Sequence, residues 1–282
     1  MNITTIGVIG SGQMGSGIAQ VFAVAGYNVI MHDVEASRVE KGKSSIEKSL
    51  TKFVEKGKLS PADRDAAMSR LTGVTSLESL KTADLIIEAA TEDLNLKLKI
   101  FSALDEFAKP GAILASNTSS LPITTLAQST NRPEQVIGMH FMNPVPLMKG
   151  VEVIRGIQTD DATAQTISTL IAKLGKSEVR SRDVAGFVAN RILMPMIREA
   201  ILALEQQVSS RDHIDRCMVD CCNFPLGPLA LADMIGLDTC ASIMNVMADG
   251  LGSEYYKPPK LLTQMVAEGK LGKKTKKGFY DY

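Results

Sequence analysis

The amino-acid sequence predicts an α/β domain built on a doubly wound sheet, followed by an all-α domain. Through residue 183, short apolar runs typical of buried strands alternate with helical patterns, and a glycine-rich turn joins the first run to the first helix. From Phe187 onward the strand-like runs stop and apolar-periodic helices take over. We therefore expect two domains, 1–183 and 184–282, with a hinge at 183–186.

The strand candidates of the first domain are short apolar runs bounded by turn residues. In chain order they are Ile3 to Ile9, Val29 to Met31, Leu71 to Val74, Leu85 to Ala89, Ile113 to Ala115, Gln135 to His140, Val151 to Ile154 and Ser177 to Val179. Strands that alternate with helices predict a parallel sheet.

The helices of the first domain are indicated by apolar spacing and by capping residues, such as Ser60 before Pro61. They are Met14 to Ala25, Ala36 to Lys56, a shorter one from Ser60-Pro61, Leu94 to Phe107 and Ala162 to Leu174. The second domain is predicted to contain Phe187 to Gln207, Arg211 to Cys222, Pro228 to Ile235, Asp238 to Ala248 and Pro259 to Glu268.

Composition excludes several classes of function. The 282 residues include 31 basic and 31 acidic side chains, so no global charge recruits nucleic acid or an anionic membrane. No apolar run approaches the roughly 18 residues of a membrane span, and we recognise no targeting leader at the N-terminus. We expect a cytoplasmic protein, most simply bacterial, that binds neither nucleic acid nor membrane; an organelle enzyme whose leader has been removed is the alternative.

The glycine-rich turn has the order of a Rossmann-like dinucleotide site. Gly10 permits the tight turn, Gly12 lets a pyrophosphate approach the backbone, and Gly15 allows close packing of the following helix. Asp33 follows the second strand, where a carboxylate accepts the ribose hydroxyls of NAD and repels the 2′-phosphate of NADP. A ligand-free turn with a helix-capping Asp33 is the alternative, but the full strand–turn–helix–strand context favours NAD.

Three histidines, His32, His140 and His213, are the candidates for acid–base chemistry near neutral pH. His140 ends a predicted strand and opens a proline-stiffened loop, where ligands of open α/β sheets bind. Glu152 lies between two valines on the next strand and needs a partner if it is buried. A His140–Glu152 acid–base pair is one interpretation; a lone structural histidine and a surface glutamate are the other.

Further polar residues have two interpretations each. The run Ser116 to Ser120 offers hydroxyls at a strand end, either for a ligand or as a helix cap. Asn190, near the hinge, either faces a cleft between the domains or is a buried hydrogen-bonding residue. The lysine-rich segment 270–282 is either a solvated tail or, as its glycines and terminal aromatic residues favour, a docked segment that brings a lysine to a phosphate.

His213, Cys217 and Cys221 share one predicted helical face, as metal ligands can. Zinc needs a fourth ligand, and no further candidate cluster is recognised, so we interpret the cysteines as packed core thiols and expect no metal.

Taken together, the chain resembles the short-chain L-3-hydroxyacyl-CoA dehydrogenases over essentially all 282 positions, and most closely their bacterial 3-hydroxybutyryl-CoA-specific members. Six blocks in order carry this resemblance: Gly10 to Gln20, Ala115 to Ser120, Gly138 to Pro144, Val151 to Ile154, Gly186 to Arg191 and Gly272 to Thr275.

The resemblance implies a role for each matched residue. His140 would be the catalytic base and Glu152 the acid that orients it, while Ser119 and Asn190 would hydrogen-bond the acyl substrate. Ser49 and Lys56 match positions that touch CoA in the family. The implied NAD-binding set is Gly10, Gly12, Gln13, Met14, Gly15, Asp33, Glu92, Lys97, Ser119, Asn143 and Lys274.

These roles imply reversible oxidation of L-3-hydroxyacyl-CoA, with 3-hydroxybutyryl-CoA and acetoacetyl-CoA as the expected pair, and NAD, with NADP possible, as the cofactor. The resemblance also implies a homodimer formed through the C-terminal domain. One alternative is a dehydrogenase of free 3-hydroxy acids that uses a catalytic lysine, for which Lys173 and Lys176 are candidates. The other is a non-catalytic dinucleotide-binding protein.

Overall fold

The computed structural model describes residues 3–282 of the chain. Its internal contacts divide the chain into two compact units, Met1–Asp183 and Val184–Tyr282. The first combines a sheet with flanking helices, and the second is helical.

Within the described residues, the first unit contains one eight-stranded sheet. Its strands are β1 (Thr5–Ile9), β2 (Asn28–His32), β3 (Leu71–Val74), β4 (Leu85–Glu88), β5 (Ile113–Ser116), β6 (Val136–Phe141), β7 (Gly150–Arg155) and β8 (Ser177–Arg182). Their spatial order is β3-β2-β1-β4-β5-β6-β7-β8. The chain thus starts at the sheet centre and winds outward in both directions, as the alternating sequence pattern predicted.

The expectation of a parallel sheet was wrong for one pair, because β6 and β7 run antiparallel. A parallel crossover needs about a dozen residues or more, usually including a helix. The connection from Phe141 to Gly150 is shorter than that and contains no helix. The chain therefore turns back directly, and His140 pairs in register with Glu152.

The helices of the first unit cover the sheet with their apolar faces. They are α1 (Gln13–Val24), α2 (Ala36–Glu55), α3 (Pro61–Ser69), α4 (Leu94–Phe107), α5 (Ile123–Ala127) and α6 (Asp161–Lys173). The core joins strand residues such as Val8 and Ile87 to Phe22 of α1, and Phe22 stacks edge-on against Phe141 with 6.4 Å between the ring centroids.

The second unit has its own core, which includes Met194, Ile197, Leu237 and Phe279. Its helices are α7 (Ala189–Glu205), α8 (Arg211–Arg216), α9 (Pro228–Ile235), α10 (Leu237–Leu251) and α11 (Lys260–Ala267). Of the helices in residues 3–282, none alone is long and apolar enough to cross a membrane, although α9 and α10 together, bent by 96°, reach that length and composition.

The interpretation of Cys217 and Cys221 as packed core thiols was wrong, because both side chains are exposed. Cys217, Cys221 and Cys222 are exposed, and only Cys240 is buried. The predicted helix changes at Cys217 from α to π geometry, and the wider π turn breaks the 3.6-residue period on which the predicted face depended. Residues 3–282 contain no group of three or more side chains arranged to hold a metal ion.

Candidate active site

The glycine turn between β1 and α1 has the close approaches that its sequence indicated. Gly10 has a φ of +92°, and a Cβ there would lie 2.6 Å from the Ala89 carbonyl oxygen. A Cβ on Gly15 would lie 1.8 Å from the Gly10 carbonyl oxygen. In contrast, a Cβ on Gly12 would meet no atom within 4 Å. The turn is therefore closed where it packs on protein and open at Gly12, the N-cap of α1, where helix N–H groups favour an anion.

The Asp33 carboxylate braces this turn. Its Oδ2 accepts hydrogen bonds from the backbone N–H and the hydroxyl of Ser11, at 2.9 and 2.8 Å, and its Oδ1 accepts from the Val34 N–H at 2.8 Å. Burial alone would raise the pKa of Asp33, but these bonds and the nearby Arg38 charge lower it below its ordinary value. The side chain is thus anionic at neutral pH and fixes the end of β2 against the glycine turn.

A cavity of about 1090 Å³ opens in front of the turn. It matches the upper end of the range for ligand pockets, roughly 300 to 1,000 Å³, so it is large enough for a dinucleotide. Of the predicted residues, six line it: Gly10, Gly12, Gln13, Asp33, Ser49 and Asn143. The open glycine, the helix N-terminus and the anionic carboxylate fit the pyrophosphate and ribose of NAD.

The loop after β6 forms one wall of the cavity. Asn143 Oδ1 accepts a hydrogen bond from Gln13 Nε2 at 3.0 Å, which joins two predicted NAD-binding residues. Lys176, which lies between α6 and β8, donates from Nζ to the carbonyl oxygens of Val145 and Met148 in this loop, at 2.7 and 2.6 Å. Lys176, a candidate base in the alternative function, therefore holds this loop, and its burial lowers its pKa.

His140 and Glu152 form a buried pair across β6 and β7. The His140 Nδ1 lies 2.7 Å from Glu152 Oε2, and the two side chains are 10% and 2% exposed. Antiparallel pairing sets the two residues directly opposite each other, so the backbone register creates the contact. A carboxylate at Nδ1 holds the imidazole in the tautomer whose Nε2 accepts a proton.

The turn that follows β5, residues 116–120, carries Ser119. Thr118 Oγ1, the Ser119 N–H and Ser120 Oγ donate to Glu92 Oε1, at 2.6, 2.9 and 3.1 Å. Asn117, which sequence reasoning did not single out, accepts a hydrogen bond from the Phe141 N–H at 2.9 Å. The turn is thereby tied to the residue that follows His140.

Lys97 and Glu92, both expected near NAD, contact each other, and Lys97 also contacts Glu88. Lys97 is 1% exposed, and its Nζ lies 2.6 Å from Glu88 Oε1 and 3.4 Å from Glu92 Oε2. Glu88, also missed by sequence reasoning, is fully buried at the end of β4. The sequence signal that could have identified Glu88 is its place at the end of the apolar strand β4. This strand pairs with β1, which leads into the glycine turn.

The remaining predicted residues lie elsewhere in the chain. Asn190 is buried in the first turn of α7, and Lys274 lies in a short 3-10 turn, where its Nζ contacts Asp238 Oδ2; both belong to the second unit. Met14 is the second residue of α1, beside the glycine turn. Lys56 is exposed at the C-terminal end of α2, the helix that carries Ser49.

Two family models together cover nearly the whole chain. The NAD binding domain of 3-hydroxyacyl-CoA dehydrogenase matches residues 5–184, and the C-terminal domain of 3-hydroxyacyl-CoA dehydrogenase matches residues 186–282. The chain belongs to the 3-hydroxyacyl-CoA dehydrogenase family. The family resemblance drawn from the sequence is confirmed, as is the expectation of an NAD-binding oxidoreductase.

Relatives of this dehydrogenase family align along their full length. A probable 3-hydroxybutyryl-CoA dehydrogenase of Deinococcus radiodurans is 51% identical, over 98% of this chain and 99% of its own. The 3-hydroxybutyryl-CoA dehydrogenase of Bradyrhizobium diazoefficiens is 49% identical, over 99% and 96%. The crystal structure of (S)-3-hydroxybutyryl-CoA dehydrogenase PaaH1 from Ralstonia eutropha superposes with a TM-score of 0.96 at 47% identity, covering 100% of this chain and 99% of that chain.

Proposed function

We propose that the protein interconverts L-3-hydroxybutyryl-CoA and acetoacetyl-CoA with NAD as the redox cofactor. When bound, NAD would accept the hydride that leaves C3 of the hydroxyacyl group. His140 takes the proton of the C3 hydroxyl on Nε2 and returns it in the reverse direction. Glu152 orients the ring and stabilises the imidazolium that forms.

The contact between His140 Nδ1 and Glu152 Oε2 carries this proposal. At 2.7 Å, with both side chains buried, the carboxylate is poorly screened by water, so its attraction for a developing imidazolium is strong. The NAD-sized cavity in the same unit supports pairing this base with a redox cofactor. Full-length relatives named for 3-hydroxybutyryl-CoA support the choice of substrate.

Four further residues complete the proposed substrate site. Ser119 and Asn190 hydrogen-bond the oxygens of the acyl group, and Ser49 and Lys56 contact the CoA moiety. Ser49 lines the cavity, and Lys56 is exposed and able to pair with a phosphate.

Asp33 supports NAD in preference to NADP. Its carboxylate is ionised at neutral pH and lines the cavity beside the glycine turn, so a 2′-phosphate would meet a like charge. For NAD itself, Gln13, Met14 and Asn143 join the glycines, with Glu92, Lys97 and Lys274 as further members of the set.

We also propose that the chain works as a cytoplasmic homodimer, with residues 1–183 binding NAD and residues 184–282 providing substrate contacts and the dimer interface. Exposed apolar side chains of the second unit, such as Ile192 at 68% and Val208 at 71%, are compatible with an interface. Analytical ultracentrifugation tests the dimer: a monomer at micromolar concentration would contradict it.

The decisive experiment measures NADH and NADPH oxidation side by side with acetoacetyl-CoA, and NAD reduction with 3-hydroxybutyryl-CoA and free 3-hydroxybutyrate. We expect turnover of both CoA esters with NADH and NAD, and none of the free acid. The His140→Ala variant should lose turnover by about 100-fold or more while circular dichroism stays unchanged. A matched control is His213→Ala, since His213 is exposed on α8. Near wild-type turnover by folded His140→Ala would refute the assignment.

A further inference from the structure

Gln20, in the middle of α1, is a buried polar side chain that lines the cavity. It is 4% exposed, and within residues 3–282 its carboxamide makes no hydrogen bond. Its amide atoms remain accessible, because the buried polar atoms without a partner in this part of the chain are His32 Nδ1 and Asp238 Oδ1. The accessible part of the Gln20 side chain therefore opens into the cavity.

A buried carboxamide without a protein partner needs an explanation. Glutamine is mostly found at the surface, and an unsatisfied buried amide is unfavourable. The packing of α1 does not require an amide here, since Ile18, Ala19 and Phe22 on the same helix are fully buried and apolar. Water can satisfy the amide in the free protein, and a ligand that displaces this water must offer the same hydrogen bonds. Gln20 therefore indicates a polar ligand group at this part of the cavity.

Gln20 belongs to a wall of the cavity that is formed by α1 and α2, which pack against each other. This α1–α2 wall consists of residues at helical spacing on one face of each helix: Gln13, Ser16, Gly17 and Gln20 from α1, and Lys41, Ser45 and Ser49 from α2. Ser49, which is proposed to contact CoA, thus lines the same wall as Gln20.

The position of Gln20 along α1 separates it from the groups that are proposed to bind NAD. Gly12, the N-cap at the pyrophosphate site, and Gln20 are about 12 Å apart along the helix axis. Because β1 and β2 are parallel, α1 returns the chain toward the amino ends of the strands. Asp33 and His140 lie at the carboxyl ends of their strands. Gln20 is therefore remote from both the ribose site and the reacting carbon.

We propose that Gln20 hydrogen-bonds the pantetheine arm of the acyl-CoA substrate. A carboxamide has N–H donors and a carbonyl acceptor, and the secondary amides of pantetheine offer the matching acceptor and donor. The pyrophosphate of NAD offers acceptors only, and its place is at Gly12. This inference rests on the proposed function, because it takes the CoA ester as the ligand and Ser49 as a second contact to it.

A contact with pantetheine predicts a specific kinetic pattern. The arm is remote from C3, so the contact is equal in the ground state and the transition state. Its loss raises KM for acetoacetyl-CoA and leaves kcat unchanged. A contact with NAD acts on the dissociation constant of NADH instead. A residue needed only for folding lowers Tm and leaves the KM of the folded enzyme unchanged.

The test uses the full-length Gln20→Met and Gln20→Asn variants, with Gln165→Met as the matched control. Methionine has nearly the shape of glutamine without its hydrogen-bonding groups, and asparagine keeps the amide on a shorter side chain. Gln165 is exposed on α6, where its Nε2 lies 3.5 Å from Thr169 Oγ1. For both Gln20 variants we expect KM for acetoacetyl-CoA to rise about three- to tenfold, with kcat and the dissociation constant of NADH within about twofold of wild type. Gln165→Met should match the wild type in every parameter.

S-acetoacetyl-pantetheine, which lacks the nucleotide of CoA, locates the contact. The Gln20 variants should lose the same factor in kcat/KM with this ester as with acetoacetyl-CoA, because both esters keep the pantetheine amides. If Gln20→Met does not fold, Gln20→Asn carries the same expectation.

Calorimetric binding of acetoacetyl-CoA without NADH gives a readout that needs no turnover. Weaker binding by the Gln20 variants supports the inference even if the wild type fails to reduce the ester, a result that would refute the proposed function alone. Three results would overturn the inference: unchanged KM and unchanged binding of acetoacetyl-CoA, a loss with acetoacetyl-CoA that is absent with the pantetheine ester, or weaker NADH binding with an unchanged KM for acetoacetyl-CoA.

Discussion

The Glu152→Gln variant tests how much the buried carboxylate contributes to the chemistry of His140. The substitution preserves the size of the side chain and its place opposite His140 in β7. It removes the negative charge at 2.7 Å from Nδ1, in a site where the glutamate side chain is 2% exposed. It also introduces an amide N–H₂, which can donate to Nδ1 and so place the imidazole proton on Nε2. That tautomer cannot accept the proton of the substrate.

The expected loss follows from the strength of the contact. A hydrogen bond to a charged group contributes about 1.5–3 kcal/mol, so losing it from the transition state lowers kcat by about 10- to 150-fold. The tautomer change adds to this loss. KM for acetoacetyl-CoA and the dissociation constant of NADH should change little, because Glu152 is proposed to act through His140 and not on either ligand.

Steady-state kinetics in both directions, with circular dichroism as a check of folding, measures this effect. Glu178→Gln is the matched control, since Glu178 lies on the neighbouring strand β8 and contacts Ser168 and Arg180 instead. Its kcat should stay within about twofold of wild type. A folded Glu152→Gln enzyme with undiminished kcat would show that the imidazole works without its carboxylate and would refute the acid–base pair.

Three further predictions concern Asp33, Lys176 and Asp84. Asp33→Asn should weaken NADH binding by about tenfold and reduce discrimination against NADPH, measured by fluorescence titration; unchanged discrimination would contradict the charge argument. Lys176→Met, which frees two loop carbonyls, should weaken NADH binding by about threefold without creating turnover of free 3-hydroxybutyrate. Asp84 has its pKa lowered from 3.8 to about 2: burial opposes this shift, and hydrogen bonds from Lys109 and Thr4 cause it. Its ionised form therefore contributes about 2 kcal/mol of stability above pH 4, which is lost as the pH falls toward 2. Urea unfolding of Asp84→Asn should show this deficit at pH 7, and an equal deficit at pH 2 would contradict it.

The fold could be predicted from the sequence because its main signals are local. Apolar runs, helix caps and the glycine turn depend on residues close together in the chain, and Ser60 caps α3 through the Asp63 N–H as its position before Pro61 indicated. The direction of β7 could not be predicted from alternation alone. It depends on the length of the connection after His140, and this single reversal creates the His140–Glu152 contact.

Contacts between charged residues were harder to predict. Lys97 and Glu92 were expected near NAD because of the family resemblance, yet nothing in the sequence indicates that Lys97 is buried against Glu88. A lysine and a glutamate close together in the sequence look the same whether they lie on a solvated helix face or form a buried ion pair. Only the paired ends of β4 and β5 bring Glu88, Ser116 and the base of α4 together.

Asp33 does not cap α2, whose N-cap residue is Glu35, but it combines a structural contact with a place at the cavity. The carboxylate is a structural brace for Ser11 and also lines the cavity as an anion. A carboxylate has about four lone-pair sites, and the three hydrogen bonds it accepts here leave capacity for a ribose hydroxyl. Cofactor preference and the rigidity of the glycine turn are therefore coupled through one side chain. Serine or alanine at position 33 would relieve the repulsion of a 2′-phosphate but would also loosen the turn that binds the pyrophosphate. A switch to NADP at this site consequently needs a second change that restores the Ser11 contact.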